Sequence, residues 1–132
     1  MRIGALAERS GLSTQAIRYY ESIDLLPDPS RTPSGYRDYD ADAIERLRFI
    51  RDAQASGLTL AEVHSLLAMK DAGARTCAHT RTFLERHLAE IDDQIDRLRE
   101  ARSEMVQLVE RARRLDPADC TDPNRCQVID IS

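Results

Sequence analysis

From about Cys77 to Leu115 the chain carries Leu84, Leu88, Ile91, Ile95, Leu98, Met105, Val109 and Ala112 in steps of three and four, with Arg102 the one misfit. Steps of that size put side chains on one stripe of a helix, and a stripe kept over four heptads is an a/d seam. At ~1.5 Å per residue such a helix spans on the order of 55 Å. The residues before it make a module of roughly seventy residues, about the minimum that buries its own core and too small to cover that length. The seam therefore predicts a coiled coil with a partner, most simply a second copy of the chain. A helix folded back over its own domain is the competing reading.

The residues before the seam read as shorter elements. A helix over residues 4–10 stops at Gly11, a natural left-handed terminus. Ser13 caps a second helix, Thr14–Glu21, through its hydroxyl. Asp28 to Gly35 is rich in Pro, Ser and Gly, which predicts a turn between two short extended pieces. The segment Arg31–Tyr39, with Pro33-Ser34-Gly35-Tyr36-Arg37, then reads as a basic hairpin wing. Asp40 caps a third helix in which Ile44, Leu47 and Ile50 face a core until Gly57. Thr59-Leu60-Ala61-Glu62 is a capping box that opens a fourth helix through Leu67. Asp71–Arg75 is a short polar break before the long helix. Beyond it, Asp116-Pro117 and Asp122-Pro123 force turns.

Two short helices around a turn, followed by a wing, form a means of gripping duplex DNA. In a helix-turn-helix the second helix enters the major groove with its N-terminal side chains toward base edges. Here those are Ser13, Thr14, Gln15 and Arg18. Gln pairs bidentately with adenine and Arg with guanine, each good pair giving ~1–3 kcal/mol of discrimination. Tyr19 and Tyr20 either donate hydroxyl hydrogen bonds to phosphates or pack beneath the wing, and one of each is expected. Arg31, Tyr36 and Arg37 suit phosphate contacts, which position a protein without reading sequence.

Charge restricts this grip to a patch. The chain has 19 basic and 23 acidic residues, a net charge of −4, which argues against non-specific coating of nucleic acid. Arg18, Arg31 and Arg37 supply the patch, diluted by Glu21, Asp28 and Asp38. No paired carboxylates, Ser-His-Asp set or glycine-rich phosphate loop stands out, so an enzyme is not expected. No apolar run approaches the roughly 18 residues of a membrane span and no signal peptide opens the chain, so a cytoplasmic protein with no membrane partner is expected.

Ile3-Gly4-Ala5-Leu6-Ala7, Gly11-Leu12-Ser13, Ala16-Ile17-Arg18-Tyr19-Tyr20-Glu21, Leu25-Leu26 and Gly35-Tyr36-Arg37-Asp38-Tyr39 resemble the MerR family of bacterial transcription regulators, in particular its heavy-metal-responsive subgroup. The likeness covers nearly the whole chain. One departure is Asp24, where the family usually carries Gly before Leu-Leu; Asp tolerates a left-handed conformation less well than Gly. The resemblance implies a homodimer on a dyad operator, between promoter elements whose spacer is too long. The activated dimer bends and untwists that DNA so that RNA polymerase engages both elements. This is control through DNA deformation, with ligand binding shifting the balance between two dimer shapes.

Cys77, Cys120 and Cys126 are the three cysteines, an odd count that suits reduced thiols or thiolate ligands better than a disulfide framework. Cys77 starts the long helix and the other two lie beyond its end. If the helix is straight, Cys77 cannot meet them within one chain. An antiparallel partner carries its own tail loop back to Cys77, so the thiols converge in trans, an arrangement that matches the family's sensor site. Three soft thiolates select soft or borderline ions over Mg2+ or Ca2+. A divalent ion leaves one net negative charge and a monovalent ion two, which favours Hg2+, Cd2+, Pb2+ or Zn2+ over Cu+; Arg125 offsets part of that charge. The resemblance agrees, because members that sense monovalent copper generally have Ser where this chain has Cys77. Zinc usually takes a fourth ligand, for which His79, Asp119 and Asp122 are candidates, with a solvated first-turn residue the other reading of His79. His64 and His87 read as helix-surface residues.

The expected fold is mainly α. It comprises a winged helix-turn-helix DNA-binding domain (1–70), a linker and long antiparallel coiled-coil dimerisation helix (71–115), and a short C-terminal metal-binding loop and tail (116–132). The expected function is a metal-responsive transcription activator. Two readings compete with it: a same-fold regulator sensing monovalent copper, oxidants or an organic ligand, and an architectural DNA-binding protein with no ligand. The tail has too few aromatics to line a pocket for an organic molecule.

Overall fold

Local capping signals mark one end of each of the first four helices of the computed structural model; the structure describes residues 1–130. Helix α1 (Ile3–Ser10) ends at Gly11, whose φ of +75° is left-handed and whose N–H closes the last turn on the Ala7 carbonyl at 3.0 Å. Helix α2 (Thr14–Ser22) is capped as expected, the Ser13 hydroxyl oxygen accepting the Ala16 N–H at 3.1 Å. Asp24 does take the left-handed conformation, with φ +61°. It turns the chain so that the Leu25 and Leu26 N–H groups both donate to the Tyr20 carbonyl and both leucines are buried.

A two-stranded antiparallel hairpin follows, β1 (Ser30–Arg31) and β2 (Arg37–Asp38), with Ser30 opposite Asp38 and Arg31 opposite Arg37. Its tip is tied by Gly35 N–H to the Thr32 carbonyl at 2.8 Å and by Tyr36 N–H to the Thr32 hydroxyl at 3.1 Å. Helix α3 (Ala41–Ala55) starts on the Asp40 carboxylate, which accepts the Ala43 N–H. Helix α4 (Leu60–Asp71) opens with both halves of the Thr59–Glu62 capping box in place. It continues past Leu67 to Asp71, whose carboxylate takes a two-pronged contact from Arg46 at 2.7 and 3.1 Å.

Helix α5 (Cys77–Arg114) is continuous and leads into a 3-10 turn, Pro117–Asp119. Contacts divide the chain into two units, the first from Met1 to His87 and the second beginning at Leu88. The first unit holds the core. Leu6, Ile17, Leu25, Leu47, Ile50, Val63 and Leu66 are fully buried, each contributing roughly 1.5–3 kcal/mol by leaving water. Phe83 packs on that core from the first turns of α5.

His87 is not a free surface residue. Its Nε2 lies 2.6 Å from Glu62 Oε1, the same oxygen that accepts the Thr59 N–H, and both side chains are largely buried. The Thr59 N–H first, and His87 second, hold the Glu62 carboxyl below the usual glutamate range. A depressed carboxyl stabilises the fold above its unfolded pKa and loses that contribution as the pH falls through the folded one.

In the second unit the tail doubles back on its own helix end. Arg111 donates to the Gln127 carbonyl at 3.0 Å, and the Gln127 amide donates to the Asp116 carbonyl at 2.9 Å. No residue of α5 is buried, and Leu98 and Met105 are 70% and 65% exposed. Among the described residues no helix is long and apolar enough to cross a membrane.

The two left-handed turns make opposite predictions. Asp24→Gly removes backbone strain and is expected to raise stability by roughly 0.5–1 kcal/mol. Gly11→Ala is expected to lower it by about 1–2 kcal/mol, because a Cβ there also stands 2.9 Å from Arg51 Nη1. Urea unfolding followed by circular dichroism reads both, and unchanged midpoints would refute the assignment of strain.

Candidate DNA interface and cysteine centre

The exposed face of α2 and the wing share one open hollow, lined by Arg18, Arg31, Tyr36 and Arg37 together with Arg2 and Ile3. The structure thus brings four residues expected at a DNA face to one surface. Gln15, Arg18 and Tyr19 are exposed and Thr14 is half-buried. Ser13 has its oxygen committed to the α2 cap, which leaves the hydroxyl proton to donate.

Tyr20, expected at the DNA face, does not join this surface. It lies in the core at 8% exposure, and its hydroxyl donates to Gln54 Oε1 at 3.0 Å on α3. Tyr20 therefore does not face DNA. Tyr19 is 52% exposed, so the pair divides as one outward and one inward residue. The inward one packs toward α3 rather than beneath the wing.

The wing arginines are held by contacts within the wing and with α2. Arg31 Nη1 donates to the Gly35 carbonyl at 2.9 Å, buttressing the turn. Arg37 Nη1 faces Glu21 Oε2 at 3.4 Å. Glu21 is buried, and its other oxygen accepts the Tyr39 hydroxyl. It is an internal partner of the wing rather than a surface charge that dilutes the patch. Sequence alone does not single out Arg2; its guanidinium sits 4.3 Å over the Tyr36 ring, a cation–π contact worth ~0.5–1 kcal/mol at an exposed site. An arginine ahead of a helix carries no spacing signal that points to a wing residue so far along the chain.

All three cysteines are free and exposed. Cys77 is the first residue of α5. Cys120 closes the 3-10 turn with its N–H on the Pro117 carbonyl at 3.2 Å, and the Cys126 carbonyl accepts the Ile129 N–H at 3.0 Å. Cys120 shares a small hollow with Asp119, Asp122 and Arg125. Asp122 accepts the Asn124 N–H, and Arg125 is paired with Asp130 at 2.6 Å. His79 and His64 are exposed. Among the described residues no group of three or more His, Cys, Asp or Glu in one chain comes close enough to hold a metal ion. The donor set itself, three solvent-facing sulfurs with no disulfide, fits a soft cation.

Residues 1–70 match the family described as MerR HTH family regulatory protein, and residues 44–108 match the family described as MerR, DNA binding. The HTH-type transcriptional regulator HmrR of Rhizobium leguminosarum bv. viciae is 39% identical over 91% of this chain and 92% of its own length. The mercuric resistance operon regulatory protein of Bacillus cereus is 36% identical over 83% of each. Among solved structures, the transcription regulator PbrR691 from Ralstonia metallidurans CH34, in complex with lead(II), is 31% identical with a TM-score of 0.74, covering 97% of this chain and 95% of that one.

The Glu21 contacts leave a titration signature. Burial, then the hydrogen bond and negative charge of Glu21, push Tyr39 up to about 12, against the opposing pull of Arg37. A phenol raised in the folded state stabilises the fold fully below its ordinary pKa of about 10. That contribution is lost between there and about 12. Ultraviolet titration is expected to find a late phenolate that Tyr39→Phe removes. Arg37→Ala is expected to delay it further and to cost about 1–3 kcal/mol of stability, because Glu21 keeps its burial without its cation. A Tyr39 that ionises at the ordinary phenol pKa of about 10 would contradict the geometry.

Proposed function

Because the chain belongs to the MerR family of helix-turn-helix regulatory proteins, we propose that it is a metal-responsive transcription regulator that acts as a homodimer on promoter DNA. It is not an enzyme. Thr14, Gln15 and Arg18 face base edges, while Tyr19, Arg31, Tyr36 and Arg37 take backbone phosphates. The homodimer presents two such faces to a dyad operator and alters the promoter spacer, so that RNA polymerase engages both promoter elements. Activation is then a shift between two dimer shapes that deform DNA differently.

The observation that carries this reading is a pair of deficits within one chain. Helix α5 leaves its seam of Leu84, Leu88, Ile91, Ile95, Leu98, Met105 and Val109 exposed, and the three thiols do not gather. A second, antiparallel copy answers both. Cys77 of one copy joins Cys120 and Cys126 of the other, giving two equivalent sites per dimer. When bound, a soft divalent ion (Hg2+, Cd2+, Pb2+ or Zn2+) supplies a cross-link between the two chains at each end of the coiled coil. Three thiolates around a divalent ion carry one net negative charge, against two around monovalent copper. Relatives include one named for mercuric resistance and one solved with lead(II), and others of equal similarity carry neither name, so the divalent class rests on the charge count.

Mixing variants tests the arrangement. Cys77→Ser and Cys120→Ser chains are each expected to lose the ion in competition with a chromophoric chelator. A mixed dimer of the two restores one complete site in trans and is expected to bind one ion per dimer at wild-type affinity. If the mixed dimer binds no better than its parents, convergence in trans is wrong.

A further inference from the structure

Among the described residues Glu21 is the one buried charged side chain. It lies in the last turn of the recognition helix α2, and its side chain is 7% exposed. Taking a carboxylate out of water costs several kcal/mol unless it is well paired, and a well-packed apolar residue in its place is often no less stable. Fold stability therefore gives a poor account of Glu21. Its two partners are both on the wing side of the molecule: Arg37 in β2, and Tyr39 just after it. Each of its oxygens serves one of them.

Arg37 is suited to serve two anions at once. A guanidinium offers five N–H donors in a flat fork. Nη1 faces Glu21, yet the side chain remains 40% exposed and lines the hollow shared by Arg18, Arg31 and Tyr36. We propose that Glu21 is a positioning residue for DNA binding. It holds the Arg37 guanidinium so that its inner edge rests on the buried carboxylate and its outer edge meets a backbone phosphate, fixing the wing against the recognition helix. This inference rests on the DNA face described above.

The sign of one substitution separates this role from its alternative. A carboxylate that merely sits near a basic patch weakens attraction to phosphates, so neutralising it strengthens binding. A carboxylate that aims Arg37 does the reverse. Glu21→Gln keeps the shape and still accepts the Tyr39 hydroxyl. Fluorescence anisotropy is read on the duplex that the wild-type protein selects from a randomised pool. Glu21→Gln is expected to bind it about tenfold more weakly, and to cost less than about twofold when Arg37 is already Ala, because the two act as one unit. Equal or tighter binding by Glu21→Gln overturns the proposal, as does an equal loss in both backgrounds, which marks a general effect on the fold.

Should Glu21→Gln fail to fold, Arg37→Lys carries the test. A single ammonium is a point charge without the planar fork that reaches both anions, so binding close to that of Arg37→Ala is expected and wild-type affinity overturns the idea. If Arg18→Ala and Arg37→Ala both bind as wild type, the DNA face itself is wrong. If they weaken binding while Glu21→Gln does not, only the positioning role falls.

Discussion

Helices of eight and nine residues do not hold their shape in water on their own, and α1 and α2 are that short. What fixes them is packing: α2 lies against α1, and α1 lies against α3. Leu47 and Ile50 of α3 are fully buried in the core, and three of its arginines reach outward to the ends of other elements. Arg48 and Arg51 donate to the Arg9 and Ser10 carbonyls at the end of α1. Arg46 donates to the Leu25 carbonyl in the turn after α2 and to the Asp71 carboxylate at the end of α4. Helix ends leave carbonyls without intrahelical partners, and guanidinium groups are well matched to them. Among the described residues no buried side-chain nitrogen or oxygen lacks a partner. Helix α2 is thus placed through α1, through the turn that follows it, and through its own Ile17 and Tyr20.

This division explains which features were legible in the chain. Gly11, Ser13, Asp40 and the Thr59–Glu62 box act on neighbours within four residues, so the sequence states them directly and the structure repeats them. Tyr20 and His87 are settled by partners 34 and 25 residues away, and no local pattern names those partners. One signal was available for Tyr20. It follows Ile17 by three positions and so shares its buried face, whereas Tyr19 does not. Glu21 reads as surface charge in sequence because the residues that engage it, Arg37 and Tyr39, lie far along the chain in and just after the wing. Asp24 differs again. Its left-handed backbone shows that the turn is demanded by the burial of Leu25 and Leu26, and that an aspartate can meet the demand.

The exposed seam of α5 and the dispersed thiols pose one demand from two kinds of chemistry. Apolar side chains on a helix with no buried residue leave stabilisation of about 25 cal/mol per Å2 unrealised. Sulfur ligands of a soft ion need companions at bonding distance. Both needs concern the same stretch, because Cys77 begins α5 and Cys120 follows its end. A remedy for the seam that left the thiols apart would account for half of the chain's features. Antiparallel pairing of identical helices addresses them together, which is why it is the economical reading.

A chain with net charge −4 cannot grip a polyanion by bulk attraction, so the number of contacts matters less than their order before binding. Here Arg2 lies over Tyr36, Arg31 is fastened to the Gly35 carbonyl, and Arg37 rests against Glu21. Side chains already restrained lose less freedom when they meet phosphate. Restraint also matters for control by deformation. A protein that bends or untwists DNA must transmit the orientation of its recognition helix to the backbone through parts that do not yield. A loose wing would absorb a change in dimer shape. On the positioning role proposed above, a wing pinned to α2 by a buried carboxylate would pass that change to the duplex.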